Sequence, residues 1–212
     1  MYETISADEV RTLRHFLPEA LHELAWVAGG AVTDIARCSD IDLWLIAEDI
    51  ETIVATELKF LADKRYAFEP EPFYPDKQLF KIATIPYHPK DVQLLGFKTD
   101  SISGLLDRFD LSVHMHAISV HDGYRFDHVA ATYPGQAIKV NRWTTPASTL
   151  RRYFAFCQRY GQRPDWDIVR ELAIMMLAVH HRVKPLGIRR ALHDAEYFVS
   201  AEELEKLLKG EI

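Results

Sequence analysis

Two cysteines in 212 residues, Cys38 and Cys157, are too few and too far apart to build a disulfide framework or a thiolate metal site. That scarcity fits a reducing compartment. Also missing is any uninterrupted apolar run near the roughly 18 residues that a membrane span needs. The opening MYETISADEV has neither the basic start nor the apolar centre of a secretory signal. These absences set aside secreted and membrane-spanning classes and predict a cytoplasmic protein. No internal repeat and no low-complexity linker interrupts the chain. With 48% of its residues hydrophobic, it has enough apolar surface for one full core and a smaller helical extension.

Charge is present but unevenly spread behind the net value of −6. Residues 1–136 hold twelve Lys/Arg against twenty-two Asp/Glu, whereas residues 137–190 hold eleven against three. A basic segment beside an acidic body can attract phosphate, whether of a nucleotide or a nucleic acid. Arginines on solvated helix faces would give the same count.

Periodicity predicts a mixed α/β (α+β) chain. SADEVRTLRHFL carries a capping box, Ser6 with Glu9, and apolar residues at helical spacing up to Leu17; Pro18 interrupts it before EALHEL. AWVAG reads as a strand ending at Gly29 and Gly30, AVTDIAR as a short helix bearing Asp34, and DIDLWLIA as a second strand. EDIETIVATELKFLAD is an amphipathic helix with Ile50, Ile53, Val54 and Leu58 inward. LFKIATI and KDVQLLGF are strand-like, separated by the turn PYHPK. After residue 145 the pattern is helical, in ASTLRRYFAFCQRYG, in DWDIVRELAIMMLAVHHRV and in a tail capped by Ser200 and Glu203. The expectation is a twisted mixed sheet flanked by helices over residues 1–140 and a small helical region over 141–212.

Asp40 and Asp42 stand out at the head of the second strand. Alternation puts both carboxylates on one side while Ile41 and Leu43 enter the core. Carboxylates that close repel unless protons or cations neutralise them. Magnesium does so while gripping triphosphate oxygens, and two such ions can hold the attacking and leaving oxygens of an in-line displacement, with manganese as a substitute. Asp91, at the head of another apolar strand, is the candidate third ligand. Gly29 and Gly30 lie between a strand and a short helix, where missing Cβ atoms let backbone N–H groups approach a phosphate.

These residues resemble a family signature. GGAVTDIARCSDIDLWLI is similar to the polymerase-beta-type nucleotidyltransferase superfamily, and most to the head of CCA-adding tRNA nucleotidyltransferases and bacterial poly(A) polymerases. RFDLSVHMHAISVHDG is similar to that family's RRDFTINAMAY…DG segment, and TPASTLRRYFAF to its EDPLRMLRAVRF helix. The resemblance covers about residues 24 to 156. It implies that Asp40, Asp42 and Asp91 bind two magnesium ions and that Gly29 and Gly30 hold the triphosphate of an NTP such as ATP. It further implies that Asp110 lies at the ribose, that Arg108 matches the first arginine, and that His114, in place of an asparagine, touches the nucleotide. Arg151 and Arg152 would meet the β and γ phosphates, and Asp91 would help deprotonate the attacking hydroxyl. Phe109 replaces the family's second arginine. The acid and arginine of its E-D-x-x-R motif are replaced by Thr144, Thr145 and Ser148, so base selection by the same contacts is not expected. The chain ends soon after the helices that follow the head, which implies that the long helical body gripping tRNA is lacking.

The expected function is transfer of an NMP from an NTP to a hydroxyl on RNA, a protein or a small molecule. Two alternatives are carried: a toxin–antitoxin or phage-defence partner that modifies a protein, and a non-catalytic nucleotide-binding protein with a degenerate site. His114 and His116, read as sharing a strand face, together with His121 and His128 suggest zinc less than they suggest surface or pocket positions. The segment 180–184, HHRVK, reads as a helix C-terminus. Tyr153, Phe154, Phe156 and Tyr160 read as core, and Asp167 with Arg170 as an i, i+3 pair.

Overall fold

The computed structural model describes residues 3–58, 69–70, 79–142 and 146–178. Thr144 and Thr145, the segment 180–184 and the Ser200/Glu203 cap lie outside the described residues. The chain divides into two compact units: Met1–Phe109 with Val113–Tyr133, and Asp110–Ser112 with Pro134–Ile212.

The first unit opens with α1 (Ala7–Thr12), capped reciprocally as the sequence predicts. The Glu9 N–H donates to Ser6 Oγ at 3.1 Å, and the Ser6 N–H donates to Glu9 Oε2 at 2.8 Å. The helix does not run on to Leu17. It tightens into a 3₁₀ turn, Leu13–Phe16, and a second 3₁₀ segment, Glu19–Leu24, follows. Pro18 is the cause: it pushes the preceding residue out of the helical region, and Leu17 is extended at φ −126°, ψ 141°.

A seven-stranded sheet follows, built from β1 (Ala25–Ala28), β2 (Asp40–Ala47), β3 (Glu69–Pro70), β4 (Leu79–Ile85), β5 (Asp91–Lys98), β6 (His116–Ser119) and β7 (Arg125–Asp127) in the order β3-β4-β5-β2-β1-β6-β7. Among the described residues only β2 and β5 pair in parallel; every other strand pair there is antiparallel. The sheet is mixed, as expected.

Alternation divides the two faces. Ile41, Leu43 and Leu45 of β2 with Val92 and Leu94 of β5 enter one core, together with Val10, Leu13, Leu21 and the buried side of α3 (Ile50–Glu57). Trp44, Ile46, Leu95 and Phe97 enter the other, packed with Ile102, Leu105 and Leu106 of α4 (Ile102–Leu106). Ser101 caps α4 by accepting from the Gly104 N–H at 3.2 Å. Glycine at 104 leaves room for the Thr99 side chain: a Cβ there would meet Thr99 Oγ1 at 2.4 Å, so the hydroxyl would have to move.

The second unit contains α5 (Pro146–Arg159) and α6 (Trp166–Ala178). Tyr153, Phe154, Phe156, Cys157 and Tyr160 are buried, as are Val169, Leu172 and Ala173, so the aromatic series is core. Tyr153 Oη accepts from the Asp165 N–H at 2.8 Å, tying α5 to the turn before α6. Asp167 and Arg170 form the expected exposed pair at 3.1 Å. Among the described residues no helix is long and apolar enough to cross a membrane.

Candidate active site

Gly29 and Gly30 form the turn from β1 into α2 (Gly30–Asp34). Gly29 has φ +89° and ψ −143°, a conformation that costs a residue with a Cβ about 1–3 kcal/mol. The same position allows a close approach: a Cβ on Gly29 would lie 3.6 Å from Asp42 Oδ2 and 3.9 Å from Phe109 Cζ. The turn is anchored by the Gly29 N–H, which donates to the His116 carbonyl at 3.3 Å. The glycine pair and the D-I-D triplet, ten residues apart in sequence, therefore meet.

Asp40 and Asp42 project from the start of β2 on the Trp44 face, as alternation requires. The parallel register sets Asp91 opposite Asp40 and Gln93 opposite Asp42. Lys90 Nζ donates to the Cys38 carbonyl at 2.7 Å, clamping the start of β5 to the approach to β2. Asp91 is exposed, whereas Asp40 and Asp42 are half-buried. Among the described residues no three His, Cys, Asp or Glu side chains converge as a metal cluster, so Asp91 is a neighbour by register without having closed on the pair.

The two strand aspartates are held differently. Asp40 Oδ1 accepts from Ser39 Oγ at 2.9 Å, and its Oδ2 accepts from Gln93 Nε2. Asp42 receives no hydrogen bond from the described residues. Burial, and next the negative charge of Asp40, push its carboxyl up from 3.8 to about 7, against the opposing pull of Lys81. Two neighbouring carboxylates, one of them with no hydrogen-bond donor among the described residues, make a donor set that a divalent cation would fit. That is the observation by which the pair fits magnesium.

Around the pair lies an aromatic group. Phe109 meets Trp44 edge-on at 5.9 Å between centroids and His114 at 6.4 Å. His114 is thereby placed near Gly29 through Phe109. It does not share a strand face with His116: it ends a 3₁₀ turn, Ser112–His114, and β6 begins only at His116. His116 is fully buried, with Nδ1 at 2.7 Å from Asp127 Oδ1 and Nε2 at 3.0 Å from the Thr132 carbonyl. It is a core anchor whose backbone holds the glycine turn. Burial acts to raise the Asp127 carboxyl, but hydrogen bonds from Tyr133, His116 and Arg125 outweigh it and hold the group below its ordinary value. Arg108 lies over the Phe97 ring at 5.7 Å.

The remaining expected nucleotide contacts belong to the second unit. Asp110 is buried, and its Oδ2 accepts from Thr149 Oγ1 at 2.8 Å and from Arg152. Arg152, expected on a phosphate, is thus ion-paired with Asp110, while Arg151 is exposed on α5. Ser39, Lys81, Gln93 and Thr149 were not singled out from the sequence. Only Gln93 left a signal there: D-V-Q opens β5 as D-I-D opens β2.

Two solved structures share this arrangement of strands and helices over nearly the whole chain. One is a CCA-adding enzyme in complex with CTP, 14% identical, TM-score 0.53, with 98% of this chain and 54% of that chain covered. The other is a tRNA-processing enzyme in an apo form, 20% identical, TM-score 0.50, with 96% and 55% covered. The chain has the nucleotidyltransferase fold. It spans about half the length of these two proteins. No protein-family model and no curated protein matches the chain. On the nucleotidyltransferase fold of this chain, Asp40, Asp42 and the Gly29–Gly30 turn fall within the first unit, so the site's central geometry is internal to one compact body.

Proposed function

We propose that the protein is a nucleotidyltransferase that moves an NMP from an NTP to an acceptor hydroxyl. The observation that carries this reading is the meeting of Asp42 with a turn that only glycine fits, with Asp40 on the same sheet face. Magnesium, held by Asp40 and Asp42 with Asp91 alongside, supplies charge neutralisation and polarisation of the phosphate oxygens when bound. The Gly29–Gly30 backbone, free of side chains, lets phosphate oxygens come close. Asp91, exposed and in register with Asp40, accepts the proton of the attacking hydroxyl. The hydroxyl oxygen forms a bond to the α-phosphorus, and the bond to the bridging oxygen breaks, its electron pair leaving with pyrophosphate. Positioning and charge neutralisation carry the reaction, and no covalent enzyme intermediate is required.

RNA is the first acceptor to test, because one similar structure is a tRNA-processing enzyme. The experiment is transfer of label from each α-labelled NTP, with magnesium, into RNA, into added protein and into the enzyme itself, beside an Asp40→Ala/Asp42→Ala control. Label that vanishes in the control supports the reading and names the acceptor class. Nucleotide binding without label above the control replaces transfer by a binding role.

A further inference from the structure

The polar start of β5 mirrors that of β2, and one of its residues has no role in the reaction described above. Gln93 stands opposite Asp42 in the parallel register, on the aspartate face, yet its Nε2 reaches diagonally to Asp40 Oδ2. Ser39 Oγ serves the other oxygen. Asp40 is therefore held on both oxygens, while Asp42 is held on neither by the described residues. A carboxylate oxygen has two lone pairs, so each oxygen of Asp40 keeps one for a ligand. We propose that Gln93 is a positioning residue that fixes the Asp40 carboxylate in the orientation in which it takes a divalent cation. This rests on the reading of Asp40 and Asp42 as metal-binding residues.

The physical case turns on rotation of the carboxylate. An unheld aspartate turns about its last torsion, and that freedom is lost when a cation binds; a carboxylate fixed during folding loses less at that moment. Hydrogen-bonding partners of metal-ligating side chains typically contribute 10–100-fold in metal affinity. An amide suits the task, because it donates to the carboxylate without bringing another negative charge beside Asp40, Asp42 and Asp91.

The test is Mn²⁺ binding to the full chain without nucleotide, read from the electron paramagnetic resonance of free Mn²⁺, together with thermal unfolding in EDTA. Wild type is compared with Gln93→Met, which keeps the shape and loses the donor, and with Asp40→Asn. Expected are a roughly 10–100-fold weaker Mn²⁺ affinity for Gln93→Met and an EDTA melting temperature close to that of wild type. Should the methionine variant fold poorly, Gln93→Asn replaces it, since its amide sits one methylene too short to reach Asp40. Affinity within twofold of wild type in a folded variant overturns the proposal, and so does a lower melting temperature with unchanged affinity. If wild type binds Mn²⁺ no better than Asp40→Asn, the metal site itself is refuted and the role of Gln93 falls with it. A clear difference between those two with no effect at residue 93 refutes Gln93 alone.

Discussion

Replacing Asp42 with asparagine should stabilise the metal-free protein at neutral and higher pH while impairing transfer, because the carboxylate is loaded by burial and by Asp40 and is relieved by a proton or a cation. Its carboxyl is pushed up from 3.8 to about 7. In the folded state the proton is held more tightly than in the unfolded chain. The associated stability is fully present below about pH 4, falls as pH rises, and is gone above about pH 7. At about 1.36 kcal/mol for each pH step, the interval corresponds to ~4 kcal/mol. Residual exposure of the side chain screens part of it, leaving about 2–4 kcal/mol. For a protein of this size that is on the order of 5–10 °C in melting temperature. The assay is thermal unfolding in EDTA between pH 4 and pH 8.5 for wild type and Asp42→Asn, taken as a difference so that other titrating groups cancel. The asparagine variant should gain little at pH 4 and most of its advantage by pH 8, and added magnesium should narrow the gap by stabilising wild type alone. A difference that stays flat with pH, or an asparagine variant less stable than wild type at pH 8 in EDTA, would refute the reasoning.

Asp40→Asn and Asp42→Asn should each reduce label transfer by about 10³-fold, equivalent to ~4 kcal/mol, whereas Asp91→Asn should lose at least tenfold less; equal losses would put Asp91 in the same cage as the other two. Gly29→Ala should cost about 1–3 kcal/mol in denaturant unfolding through the strained φ, and raise KM for the NTP by placing a methyl group beside Asp42. Unchanged stability would mean that the turn adapts. His116→Leu removes a fully buried ring that serves Asp127 and the Thr132 carbonyl and should cost about 2–3 kcal/mol. Hydrogen exchange at the Gly29 amide should quicken with it, and an unaltered Gly29 amide would separate the ring from the turn.

The elements that carry the site were legible because their signals are local. Ser6 and Glu9 cap α1 through neighbouring atoms, and the alternation of DIDLWLIA fixes which side chains share a face without reference to any partner strand. What was not legible depends on register. Nothing in KDVQLLG says which residue will face Asp40, and only the parallel pairing brings Gln93 within reach of it. The same holds for Arg152, whose ion pair with Asp110 joins residues 42 positions apart. His116 differs for another reason: a histidine alternating with a neighbour on a strand reads as a surface or pocket residue. Its burial depends on distant partners, Asp127 and the Thr132 carbonyl, which occupy its two nitrogens. The 3₁₀ turn at Ser112–His114 likewise broke a strand that composition alone extends.

The placement of the aspartates at a strand start follows from the same alternation. On the face they share, the next inward positions of β2 and β5 are Trp44, Ile46, Leu95 and Phe97, all buried with α4 residues Ile102, Leu105 and Leu106. A carboxylate two positions further along would lie in that core, uncompensated and out of reach of any ligand. One on the loop before β2 would remain accessible but lose the fixed direction that strand geometry gives. The start of a buried strand combines the two: the backbone is held by the ladder to β5, which β1 joins from Leu43 onward, while the side chains stand where Asp91 is exposed and Gly29 leaves room beside Asp42. A site that must hold charges in fixed positions and still admit a polyanion is best built where regular structure begins. On this argument, moving the D-I-D triplet one residue in either direction should abolish the site through loss of face, even with every carboxylate retained.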